Sequence, residues 1–184
     1  MIKNMQDAEK DAVLMVADLM CAAARTAPKG SGKDTIRTAI VTGEDKDKLS
    51  EAMKEEAREF NLVNINRDAG NVDKSTAVVL IGCINKPFGF SGCGLCGHES
   101  CASNINNGGR CAFNITDLGI AVGSAVSLAM DNRIDNRVMY TIGRVAKKMG
   151  MMSEDVGIIY GIPLSVSEKS PFFDRGPGAV IEVK

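Results

Sequence analysis

The period of apolar and polar positions changes several times along the chain, and each change marks an element. Over residues 7–25 the apolar side chains fall at Ala8, Ala12, Met15, Val16, Leu19 and Ala23, the spacing of a helix with one buried face. The stretch Thr26-Ala27-Pro28-Lys29-Gly30-Ser31-Gly32-Lys33 ends that helix with proline and glycine. Residues 35–42 alternate and are rich in β-branched side chains, which predicts a strand. A charged amphipathic helix is predicted over 45–60 and a short strand over 62–66. The run 76–83, TAVVLIGC, is continuously apolar and suits a strand buried on both faces.

Beyond the long segment that follows, the pattern predicts a helix over 116–130, with Thr116 as N-cap and Asp117 in its first turn. A second helix is predicted over 136–149, stopped at Gly150. A strand follows over 156–166, broken by Pro163, and a last strand over 179–183. The Phe172-Phe173 pair should anchor the tail to the core. Helices between short strands make this an α+β chain, and its 184 residues fit one domain spanning 1–184.

Residues 85–115 break the rhythm. They are rich in Gly, Cys, Asn and Ser and poor in large apolar side chains. Such a stretch is too long for an ordinary connection and needs a function or a cross-link to be ordered. It is expected to be an inserted cofactor loop, because four of the six cysteines lie here, at Cys93, Cys96, Cys101 and Cys111. Their spacing is C-x2-C-x4-C-x9-C. Thiolates are soft ligands for iron–sulfur clusters or zinc, and C-x2-C lets two of them converge. Gly92, Gly94 and Gly97 let the backbone wrap tightly and turn N–H groups toward cluster sulfurs, which helps set the potential. Structural zinc is the competing reading, but such sites usually pair two short knuckles, and no second knuckle exists here. Four-cysteine ligation, with iron–sulfur preferred over zinc, is therefore the expectation.

The remaining composition narrows the picture. Apolar residues make up 45% of the chain, there is no Trp, and ten Met help fill the interior. Net charge is −1 with acids and bases mixed, so no basic stripe points to nucleic acid. No signal peptide is visible and no apolar run approaches membrane-spanning length, so a cytoplasmic setting without membrane contact is expected. The lone histidine, His98, sits within the cysteine loop and reads as a neighbour of the site more than as a ligand. Cys83 and Cys21 read as buried thiols. No Ser/His/Asp set forms around His98, and no carboxylate pair suggests hydrolysis.

Several motifs carry a resemblance. CGLCGHESC (93–101) resembles the small 4Fe–4S domain found in corrinoid iron–sulfur proteins and in the ion-translocating ferredoxin oxidoreductase complex, whose form is CGxCGxxxC followed by a fourth cysteine. This implies a 4Fe–4S cluster on Cys93, Cys96 and Cys101, with Cys111 as fourth ligand after a gap shorter than usual. Almost the whole chain is similar to a family of uncharacterised bacterial and archaeal proteins described as containing a ferredoxin domain. The matching stretches are AAARTAPKGSGKD (22–34), CAFNITDLGIAVGSAVSLA (111–129), IDNRVMYTIGRVA (134–146) and GIPLSVSEKSPFFDR (161–175).

A fainter resemblance is to flavin-dependent nitroreductases, through Ala27-Pro28-Lys29-Gly30 and the Gly161-Ile162-Pro163 turn. It implies a nitroreductase-like mixed sheet flanked by helices, and FMN with Arg25, Lys29, Lys169 and Arg175 toward its phosphate. The basic R-x-x-R-type motif of that family is absent before Pro28, and the loop lacks its usual Asn and Gln-Pro. Gly119, Gly123 and Ser127 form a smooth face on the predicted 116–130 helix, suited either to a homodimer interface, as in nitroreductases, or to close packing within one subunit. Asp131, Asn132, Arg133, Asp135, Asn136 and Arg137 read as an exposed turn. The sequence-based expectation is thus an iron–sulfur redox protein that passes electrons to a redox partner or small-molecule acceptor, with a structural zinc-binding interaction protein or a non-catalytic iron–sulfur redox sensor as the alternatives.

Overall fold

The computed structural model describes residues 2–173. The expected strand 179–183 and Arg175 lie outside the described residues. Helix α1 (Met5–Thr26) leads to strand β1 (Ile36–Thr42), then α2 (Gly43–Phe60), α3 (Val63–Asp73) and β2 (Ala77–Ile84). The cysteine segment holds the short α4 (Cys101–Asn106). After it come α5 (Ala112–Asp131), β3 (Asp135–Asn136), α6 (Tyr140–Lys148) and β4 (Val156–Ser165). The fold is α+β, and among the described residues there is one sheet, in the order β1-β2-β4-β3, with every pairing antiparallel.

Strand β2 runs through the centre, pairing Ile36 with Cys83 on one side and Ala77 with Leu164 on the other. Its first seven residues are all buried. Side chains alternate between two cores, as the pleat requires. Ala77, Val79, Ile81 and Cys83 pack with Val13, Val16 and Met20 of α1 and Leu118, Ala121 and Ala125 of α5. Val78 and Leu80 face Leu49 and Met53 of α2, Ile65 and Val72 of α3 and Ile142 of α6. Each fully buried Val, Leu or Ile contributes about 1.5–3 kcal/mol of transfer free energy, so this three-layer sandwich is the rigid part of the molecule. Phe172, fully buried in the second core, anchors the tail as expected. Phe173 stays exposed beside Arg137, with that guanidinium carbon 5.2 Å from the ring centre.

Four expected elements are corrected. Residues 62–66 are not a strand but the start of α3, because Ile65, Ala69 and Val72 repeat at helical spacing and are buried together. Thr116 is not an N-cap, since α5 already begins at Ala112 behind Cys111. The expected helix 136–149 begins only at Tyr140, because Asp135–Asn136 pairs with β4 and Met139 bridges Gly161. Pro163 does not break β4. Gly161 exchanges both backbone bonds with Met139, so the nitrogen of Pro163, two residues on, faces that same side and leaves the β2 ladder intact.

Helix α5 also has the length and composition of a membrane span, with a mean hydropathy of 1.4, although its inner face packs into the core. The sequence reading of no membrane-length apolar run therefore does not hold for this helix. Helix α6 lies so close to β4 that a Cβ on Gly143 would stand 1.8 Å from the carbonyl oxygen of Ile159.

Candidate metal centre

The chain leaves the sheet at Ile84 and must be held there without a hydrophobic core. Asn114, buried on the first turn of α5, does this: its Nδ2 donates to the carbonyls of Ile84 (2.9 Å) and Lys86 (3.1 Å). One turn on, the buried Asp117 accepts the Gly30 N–H on both carboxylate oxygens, at 3.0 and 3.1 Å. The same helix face thus ties down both the exit of β2 and the Pro-Gly loop after α1. Sequence reasoning placed Asp117 at the helix start and did not find these roles. The signal was there, because Asn114 and Asp117 are polar at i, i+3 on the face that continues into Leu118 and Ala121.

Half of the protein's phenylalanines gather at this point. Phe88 stacks on Phe113 with ring centres 5.1 Å apart, and Phe90 meets Phe113 edge-on at 5.2 Å and Phe88 at 5.5 Å. Gly30 must be glycine for contact with them, since a Cβ there would lie 2.9 Å from Phe88 Cε1. The Lys33 ammonium donates to the Phe88 carbonyl at 3.0 Å and lies 5.2 Å from the centre of the Phe90 ring.

Above this aromatic floor the cysteine segment folds over. Gly94 and Gly97 both take positive φ, at 61° and 78°, and the Gly97 N–H donates to the Gly94 carbonyl. That tight turn sets Cys93 and Cys96 on one side. Ser100 caps α4 by accepting the Ser103 N–H at 3.1 Å and so places Cys101 at the helix start. Asn104, buried, donates to the Arg110 carbonyl and brings the chain back to Cys111, which stands at the N-cap of α5.

The four cysteines, separated by up to eighteen positions in sequence, line a single cleft with the three Phe rings and His98. The cleft is narrow and partly open to solvent. Cys93, Cys96 and Cys101 are half-buried, Cys111 is buried, and all four are free thiols. Among the described residues no group of three or more His, Cys, Asp and Glu stands as a preformed metal site. Four thiolates are the donor set that an iron–sulfur cluster or a zinc ion takes. The positive end of the twenty-residue α5 opens at Cys111 and favours negative charge there.

The other two cysteines stand apart. Cys83 is buried at the end of β2 and does not line the cleft, and burial pushes its thiol up from the ordinary range. Cys21, half-buried on α1, is raised for the same reason.

The residues expected near a flavin phosphate are placed as follows. Lys29 is directed into the C-terminus of α1, donating to the carbonyls of Ala24, Arg25 and Ala27 at 3.2, 2.6 and 2.9 Å, and its side chain is buried. Arg25 is exposed and pairs with Asp34. Lys169 sits in the turn after β4, where its carbonyl accepts the Ser167 hydroxyl. The structure therefore brings Arg25 and Lys29 together around Asp34 and does not place Arg25 in the cysteine cleft.

Comparison with known proteins agrees with this architecture. A family model described as "Uncharacterized protein containing a ferredoxin domain" matches residues 107–175, a stretch that includes Cys111 but not the other three cleft cysteines. An uncharacterized protein from Archaeoglobus fulgidus is 42% identical, over 96% of this chain and 99% of its own length. Among solved structures, a nitroreductase with bound FMN from Bacteroides fragilis superposes with a TM-score of 0.57 at 12% identity, covering 92% of this chain and 87% of its own. An FMN-dependent nitroreductase from Mycobacterium smegmatis, in complex with NADPH, gives 0.56 at 10% identity, covering 86% and 81%. A nitroreductase family protein from Clostridium novyi gives 0.52 at 16% identity, covering 90% and 76%. These likenesses show a nitroreductase-like fold.

Proposed function

The chain belongs to the family of uncharacterized proteins containing a ferredoxin domain, and from that premise we propose that it is a redox protein carrying a 4Fe–4S cluster on Cys93, Cys96, Cys101 and Cys111. The observation that carries this reading is that the four thiols, dispersed along the segment, wall one cleft. When bound, the cluster supplies one-electron transfer. The chain's own contribution is to hold it with four thiolates and to offer the positive end of α5 to its charge. Phe88, Phe90 and Phe113 keep water from its inner side. His98 stands beside the ligands and is not one of them. Structural zinc is the alternative chemistry of four thiolates, and the C-x2-C-x4-C-x9-C spacing, with no second short knuckle, favours the cluster over it.

The fold supports an extension of this reading. Nitroreductase-like neighbours include proteins with FMN, and we place an FMN or small-molecule acceptor at the interface of a cytoplasmic homodimer. The outer face of α5, with Ile115, Gly119, Ile120 and Gly123, is exposed and supplies a smooth surface for a second copy. Protein isolated without oxygen should show broad visible absorption that dithionite bleaches, together with an electron paramagnetic resonance signal of the reduced cluster. A colourless protein that gives no such signal after iron and sulfide reconstitution overturns the cluster reading. Acid extraction that releases no FMN, combined with no binding of added FMN, removes the flavin extension and leaves the cluster in place.

A further inference from the structure

On the far side of Phe88 from the cysteines lies a second depression, and we propose that it binds a small molecule bearing a phosphate group. It is lined by Lys33, Arg37 and Lys86, with Thr35, Ile84 and Pro87 between them, and encloses about 780 Å³ that is partly open to solvent. Phe88 belongs to the wall of both this groove and the cysteine cleft. Three cations therefore converge from two separate segments, the loop into β1 and the exit of β2.

None of the three cations takes part in an ion pair among the described residues. Lys33 uses one N–H on the Phe88 carbonyl at 3.0 Å, and Arg37 uses one on its own neighbour's carbonyl, that of Ile36, at 2.8 Å. Both keep further donors for a ligand, and Lys86 keeps all of its own. The single acid in the groove, Asp34, is already held elsewhere: it pairs with Arg25, stands 3.9 Å from the Lys29 ammonium and accepts the Ile36 N–H. Its charge does not cancel the other three.

A second and independent observation lies in the groove's floor. Thr35 is 6% exposed, and its hydroxyl oxygen has no hydrogen-bond partner. A buried hydroxyl is normally satisfied, so an unpaired one lining a cationic groove is free to turn its donor toward a ligand there. Arg37 offers a planar fork and the lysines offer point charges, the donor set that takes up the oxygens of a phosphate. Ile84 and Pro87 give the same groove an apolar side, which suits an organic ligand over the bare ion.

The test is calorimetric titration of the anaerobically prepared full chain with inorganic phosphate, with pyrophosphate and with ADP, at fixed ionic strength. Saturable binding, weakened about tenfold or more in both R37Q and K86Q, is expected. These two side chains are exposed and leave the core alone. Thr35→Val should weaken binding by a smaller factor. Tighter binding of ADP than of phosphate or pyrophosphate marks an organic phosphate as the ligand class, and equal affinities overturn that part. Absence of saturable binding, or affinities unchanged in both variants, overturns the site. A second readout, a fall in the reduction potential on saturation that is lost in R37Q, rests on the cluster reading above. Binding itself does not, and iron and sulfide analysis of the same preparation separates failure of one from failure of the other.

Discussion

Strand β2 and the segment that follows it are made on different terms. In β2 the first seven residues are buried and two cores grip alternate side chains. Over residues 85–111, Phe88, Asn104 and Cys111 are the buried positions, and Leu95 and Ile105 are exposed. Burial of apolar area orders the first region. In the second, order comes from side chain-to-backbone bonds of Asn104 and Asn114, from three rings in mutual contact and, on the proposed reading, from the cluster on the four thiols. A region with few buried apolar contacts opens at low free energy unless cross-linked. The comparison therefore predicts that the scaffold is independent of the cofactor and the segment is not.

The largest effect should come from removing that cross-link. Chelation of the metal is expected to raise amide hydrogen exchange through 89–110 to nearly that of an open chain, while β2 and α5 keep their protection. Collapse of protection throughout the molecule would break the comparison. Next, Gly143→Ala attacks the scaffold alone. The new methyl meets the backbone of Ile159 and Tyr160, so a loss of about 3 kcal/mol or more is expected, with a drop in Tm of roughly 10 °C. The metal content of the folded fraction should not change.

A third effect separates the cysteines. In metal-free protein at neutral pH, Cys93, Cys96 and Cys101 should alkylate more than about tenfold faster than Cys83, which is buried and whose thiol burial pushes up. Mass mapping of iodoacetamide adducts checks this, and equal rates would place Cys83 on the mobile side of the division. The smallest effect lies far from the cleft. Burial raises the Asp73 carboxyl, but hydrogen bonds from Ser50 and Lys54 outweigh it and leave the group below its ordinary value. A carboxylate lowered on folding stabilises the native state above its unfolded pKa of about 3.9, and that stability is lost as pH falls through the lower folded value. Asp73 is partly exposed, so Asp73→Asn should cost less than about 1 kcal/mol at pH 7 and nothing in strong acid, by urea titration.

The same division explains what could be read from sequence. The continuous apolar run of β2 and the periodicity of α1 and α2 reflect burial, and they were legible to within a few residues. The 62–66 stretch misled because Leu62, Val63 and Ile65 suggest alternation over a short window, whereas Ala69 and Val72 complete a helical repeat only beyond it. The start of α5 was misplaced because Ala112 and Phe113 follow the glycine-rich loop without a side-chain cap. The four cleft cysteines stood out because all four fall within one short segment, 93–111, with a C-x2-C at its start. The aromatic floor did not, because Phe88 and Phe113 meet only after β2 and α5 pack side by side. Lys29 was a candidate phosphate contact on charge alone, and only the geometry shows it directed into the carbonyls at the end of α1.

The central claim is that the four thiols hold an iron–sulfur cluster. The most direct test is quantitative iron, zinc and acid-labile sulfide analysis of protein purified without oxygen. The account predicts about four irons and four sulfides per chain, falling to near zero in Cys96→Ser. Stoichiometric zinc without iron or sulfide would contradict it.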